Sequence, residues 1–149
     1  MRPILSAIGT PTYQLAKFLV PLLDRITKND YSIKDSFTFA KEISGLANDG
    51  FYMASFDVES LFTNIPLEET VTLCSDDLFT DQDVIFDENS RSNLSAPEFK
   101  LLLSTAVTDV PFIFNGKYYK QIDGVAMGNP LGPTLANAFL AKNEKNLVR

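Results

Sequence analysis

Seven residues, Phe51 to Asp57, constrain this chain more than any others. In the string FYMASFD, Phe51, Tyr52, Met53, Ala54 and Phe56 are apolar, and Ser55 is the small polar break. A short apolar run without one-sided alternation predicts a strand covered on both faces, at the centre of a sheet. The run ends on Asp57, and carboxylates are rarely buried unless they are paired or bind a metal. Asp57 therefore has two readings: it caps a turn or pairs with a lysine, or it is a strand-end oxygen ligand for a divalent ion.

The residue inventory limits which chemistry could accompany that acid. The chain has no histidine, which removes His-ligated zinc, Ser-His and Cys-His nucleophiles and imidazole bases together. A single cysteine, Cys74, excludes an internal disulfide and fits a reducing compartment. With 149 residues, 45% of them hydrophobic and 21% charged, one soluble domain spanning 1–149 is expected. No window approaches the roughly 18 apolar residues of a membrane span, so no membrane partner is expected. No secretory leader is evident after Met1-Arg2-Pro3, which predicts an intracellular location. Net charge is −6, but residues 76–88 carry six acids and no Lys or Arg, so the remainder is neutral. Charge thus neither supports nor excludes a polynucleotide partner.

Periodicity places helices around the strand. Thr10-Pro11 reads as an N-cap and first helical residue, with Leu15, Phe18, Leu19, Leu22 and Ile26 on one face. Pro21 should kink that helix or end it early. Residues 29–35 read as a loop. A second helix is expected from about Ser36 to Asn48, with Phe39, Ile43, Leu46 and Ala47 inward and Asp49-Gly50 as its stop. A third opens near Pro66, with Glu68 and Glu69 in its first turn and Leu67, Val71, Cys74 and Leu78 facing the core. Residues 80–95 read as an acidic, solvated loop. Ser95-Ala-Pro-Glu98 is a capping box for a fourth helix carrying Phe99, Leu102, Leu103, Ala106 and Val110. Asn115-Gly116, between Phe112 and Gln121, predicts a β-hairpin. A last helix is expected from Thr134 to about Leu147, with Leu135, Phe139, Leu140 and Leu147 apolar.

Between hairpin and last helix lies Gly124–Pro133, with three glycines and two prolines. Such a loop offers bare backbone to a flat or charged ligand, although most loops of this composition are only connections. It matches neither a P-loop nor a dinucleotide fingerprint.

In this order, the segments resemble motifs A and B of a reverse transcriptase, most closely the Penelope-like retroelement type. The resemblance rests on Phe56-Asp57-Val58-Glu59-Ser60-Leu61-Phe62-Thr63-Asn64-Ile65-Pro66, the hairpin FNGKYYKQ, and GVAMGNPLGPTLANAFL from Gly124 to Leu140. Arg2-Pro3-Ile4 resembles a fingers motif. The resemblance implies an α+β fold, a partial right-hand polymerase palm and fingers, with a small antiparallel sheet built on the Phe51 strand and the hairpin.

It also implies roles. Asp57 and the Val58 carbonyl would ligate Mg²⁺ in a two-ion site. Phe62 would be the steric gate against a ribose 2′-hydroxyl, ordinary core packing being the other reading. Gly128 would approach the nucleotide, and Arg2 would contact its triphosphate. Met127 stands where many relatives carry Gln. Template-primer RNA or DNA and dNTPs are the implied partners, and the nucleus the implied compartment. Motif C, with the other two metal carboxylates, is expected after the last helix, yet no Asp-Asp pair follows position 124. The chain alone is therefore expected to be inactive, and marginally stable or poorly soluble. Two further readings stand beside it: a non-catalytic interaction module, and the Walker-B half of an NTPase.

Overall fold

The computed structural model describes residues 7–27, 32–46, 50, 52–80, 94–108 and 110–147. The architecture is α+β, with helices dominant and one small antiparallel sheet among these residues.

Four helices meet in the core. Helix α1 (Tyr13–Leu23) buries Ala16, Leu19 and Leu23. Leu15, Leu22 and Ile26 pack against the core's margin, whereas Phe18, predicted inward, is exposed. Thr10 does not cap α1. Its hydroxyl donates to the Ala7 carbonyl at 2.7 Å, so it closes a turn before the helix instead. Pro21 lies inside α1, which runs on through it to Leu23, with the Asp24 N–H bonded to the Val20 carbonyl.

Helix α4 (Leu67–Thr80) buries Val71, Cys74 and Leu78 along the predicted face, and Leu67 lies at its edge. Burial, with Asp77 nearby, pushes the Cys74 thiol up to about 12, which identifies it as a core residue and not a reactive one. Helix α5 (Ala96–Val107) buries Phe99, Leu103 and Ala106. It starts at the predicted capping box, where the Glu98 carboxylate accepts from the Ser95 N–H at 2.8 Å and the Ser95 hydroxyl at 2.6 Å. Those bonds hold the Glu98 carboxyl below its usual range. Val110, past the helix end, is also buried. Helix α6 (Gly132–Leu147) completes the core through Leu135, Ala136 and Ala138, with Phe139 and Leu140 half-buried. The Thr134 hydroxyl donates to Asp24 at 3.2 Å and ties α6 back to the end of α1.

The hairpin forms as predicted. Strand β1 (Pro111–Phe114) pairs with β2 (Lys117–Lys120) in the register Phe112↔Tyr119 and Phe114↔Lys117. Asn115 and Gly116 have φ of 49° and 72°, the two left-handed positions that a type I′ turn demands.

Two larger expectations fail as well. The strand predicted at Phe51–Asp57 is not formed over its described part: Tyr52 to Val58 have no regular structure, and Tyr52 and Phe56 are 100% and 96% exposed. A strand exists only through a neighbour's backbone, and among the described residues the sheet holds only β1 and β2. Helix α2 (Ser36–Ser44) is shorter than predicted and buries no residue; Phe39 and Leu46 are exposed and Ile43 is half-buried. Its N-terminus is fixed locally, by the Thr38 N–H donating to the Asp35 carboxylate at 2.8 Å. A nine-residue helix lacking a packed face has little else to hold it. Arg2, Phe51, Ala47, Asp49, most of the 80–95 loop and the Leu147 side chain lie outside the described residues.

Candidate functional site

The chain turns sharply after Asp57. Ser60 takes a left-handed conformation (φ 52°), and the one-turn helix α3 (Leu61–Asn64) follows. Local bonds shape the turn: the Thr63 hydroxyl donates to the Ser60 carbonyl at 2.9 Å, and the Asn64 amide to the Glu59 carbonyl at 3.0 Å. Ile65, just beyond, is buried and anchors the turn in the core. These short polar bonds explain why Ser, Thr and Asn punctuate this part of the sequence.

The loop before α6 is fixed to the same place. The Val125 N–H donates to the Phe62 carbonyl at 2.8 Å. Gly124, at φ 66°, passes so close that an added Cβ would clash with the Phe62 carbonyl oxygen and lie 2.5 Å from the Thr63 backbone. Only a residue without a side chain fits there. On the other side, the Phe62 ring reaches the start of α6, 3.4 Å from where a Cβ on Gly132 would lie. Phe62 is half-buried and packs on the core, so its ring is a structural wedge whatever else it does.

Farther along the loop, Asn129 is buried, and both of its side-chain polar atoms are bonded. Its amide donates to the Ala106 carbonyl at 2.8 Å, and its side-chain oxygen accepts from the Leu131 N–H at 3.0 Å. One side chain thus satisfies the end of α5 and the approach to α6. Val125, Ala126 and Leu131 are buried around it, while Met127 and Gly128 are half-buried.

The predicted site residues therefore divide. Phe62 is brought against the loop that carries Met127 and Gly128. Asp57 and Val58 are exposed and sit in an irregular segment, not at the end of a strand. Among the described residues no group of three or more acidic, Cys or His side chains could hold a metal ion. A lone carboxylate with a neighbouring carbonyl does not fit a two-ion Mg²⁺ site by itself. Arg2 lies outside the described residues.

Gly124 and Asn129 were missed as individual residues by sequence reasoning. Their loop stood out through its glycines and prolines, but nothing local names the backbone that Gly124 must pass or the carbonyl that Asn129 must reach. A separate groove of about 530 Å³ opens between α4 and α6, lined by Pro66, Glu68, Leu73, Asp76 and the ion pair of Lys142 with Glu69 at 3.1 Å. It contains none of the predicted site residues. No helix among the described residues is long and apolar enough to cross a membrane. No family model matches the chain, and no curated protein or solved structure matches it either.

Proposed function

We propose that this chain is part of the palm and fingers of an RNA-directed DNA polymerase of the Penelope-like type, acting with the rest of its active site supplied from elsewhere. The observation that supports the reading is the docking of the turn after Asp57 onto the Gly124–Pro133 loop, through the Phe62 carbonyl and the Val125 N–H. A polymerase needs a metal-binding acid and a nucleotide-facing backbone loop on neighbouring segments, and here two stretches far apart in sequence meet, at Phe62 and Val125. In this reading Phe62 and the backbone near Gly128 face the sugar and base of a deoxynucleotide, Arg2 its phosphates, and Asp57 brings one carboxylate to Mg²⁺. One carboxylate does not hold two ions in register, so the chain alone does not extend a primer.

The test is photo-crosslinking of a 5-iodo-dUTP probe to the chain in the presence of an RNA–DNA primer–template. Adducts concentrated in residues 57–66 and 124–133 support the reading. Adducts elsewhere, or none that unlabelled dTTP competes away, reject it. Template-dependent incorporation of labelled dTTP by the purified chain would overturn the claim that it needs further ligands.

A second reading, a non-catalytic nucleic-acid or protein interaction module, draws on a different observation: the irregular, exposed and mostly apolar run Tyr52–Phe56. Binding of the primer–template that weakens with salt, but does not respond to dTTP, would favour it.

A further inference from the structure

We infer that Gly124 is the positioning residue for Phe62, and through it sets how the chain discriminates a deoxyribose from a ribose; the discrimination rests on the polymerase reading, the positioning does not. Three observations carry the placement. The Val125 N–H donates to the Phe62 carbonyl at 2.8 Å, so the residue after Gly124 holds the residue that bears the ring. At Gly124 the chain adopts φ 66° and passes the backbone of Phe62 and Thr63 with no room for a Cβ. The obstacle is backbone, which does not swing aside as a side-chain tip would. On its far side the Phe62 ring rests on the start of α6, beside Gly132.

Phe62 is thus held from two directions, through its backbone by Gly124-Val125 and through its ring by α6. Ring position and backbone position are then one variable. A methyl group at position 124 pushes the 62–63 backbone away, breaks the Val125 bond and moves the ring relative to Met127 and Gly128. Gly124 touches no substrate in this arrangement and acts only through Phe62.

The experiment combines amide hydrogen exchange with binding of MgdATP and MgATP to the full chain on a primer–template, for wild type, Gly124→Ala and Phe62→Ala. In wild type the Val125 amide is protected. Phe62→Ala keeps the carbonyl, so Val125 stays protected while the preference for dATP over ATP falls. Gly124→Ala lowers Val125 protection by about tenfold or more, leaves the Cys74 and Leu103 amides protected, and lowers the dATP preference to that of Phe62→Ala. A Val125 amide that exchanges at the open-chain rate in wild type overturns the inference, and this measurement decides even if Gly124→Ala does not fold. Unchanged Val125 protection and unchanged preference in Gly124→Ala overturn it as well. If wild type shows no dATP preference while Gly124→Ala still frees Val125, the positioning stands and the polymerase reading of Phe62 falls.

Discussion

Phe99 and Phe56 are the same side chain in the same chain, yet one is wholly shielded in the helical core and the other is 96% exposed. The difference lies in what each backbone needs. Phe99 sits on a helix whose hydrogen bonds close within α5, so its ring is free to pack in the core; it meets Phe79 of α4 edge-on at 5.8 Å between ring centres. Phe56 belongs to an irregular run whose amides and carbonyls would need a neighbouring strand to be buried, and no described strand pairs with it. Hydrophobicity brings a segment inside only when its backbone has a way to be satisfied there.

That contrast can be broken by mutation. Phe99→Ala should cost about 3–5 kcal/mol, read as a lower urea midpoint at an unchanged slope. A loss below about 1 kcal/mol would show that the helical core does not carry the fold. Cys74 probes the same core by pH. Its thiol titrates higher in the fold than its ordinary value of 9.0, at about 12, chiefly because burial opposes the thiolate. The stability carried by the neutral buried thiol is therefore complete below pH 9.0 and is lost as pH rises toward about 12. Thiol-reagent labelling at neutral pH should be slow and should accelerate only in denaturant; fast labelling of the native chain would place Cys74 at the surface.

Asn129→Ala should cost about 1–3 kcal/mol, since it leaves the Ala106 carbonyl buried without its donor. The loss should appear first as faster amide exchange at Leu131, and equal exchange in both proteins would remove Asn129 from the loop's framework. The smallest effect on stability is expected at the exposed run. Phe56→Ser should change unfolding free energy by less than about 0.5 kcal/mol, yet reduce light scattering in concentrated solution. A large loss of stability there would mean that the run is buried in the folded molecule.

The helical part of the fold was legible because its signals are local. The Val71, Cys74 and Leu78 spacing, the Ser95–Glu98 box and the Asn115-Gly116 turn each act within a few residues, and each appears where the sequence places it. One local signal failed, the Thr10 cap, which closes a turn before α1 instead; the larger failures depend on distant partners. The apolar run before Asp57 looks like a strand in isolation, and Phe39 and Leu46 look like an inward face; each needs a surface that the sequence cannot display. The candidate site shows the same division. The two segments stood out by composition, but their meeting point, the Gly124 backbone against Phe62, is a long-range fit that one chain of letters does not encode visibly.

The hairpin carries a practical consequence. Every side chain of β2 faces solvent, and the ribbon is held by its own ladder, its left-handed turn and the stacking of Phe112 on Tyr119 at 5.6 Å. The stretch between buried Val110 and buried Gly124 can therefore be lengthened, shortened or exchanged for a foreign epitope while the surrounding helices keep their places, which makes it the natural spot to attach a reporter to this molecule.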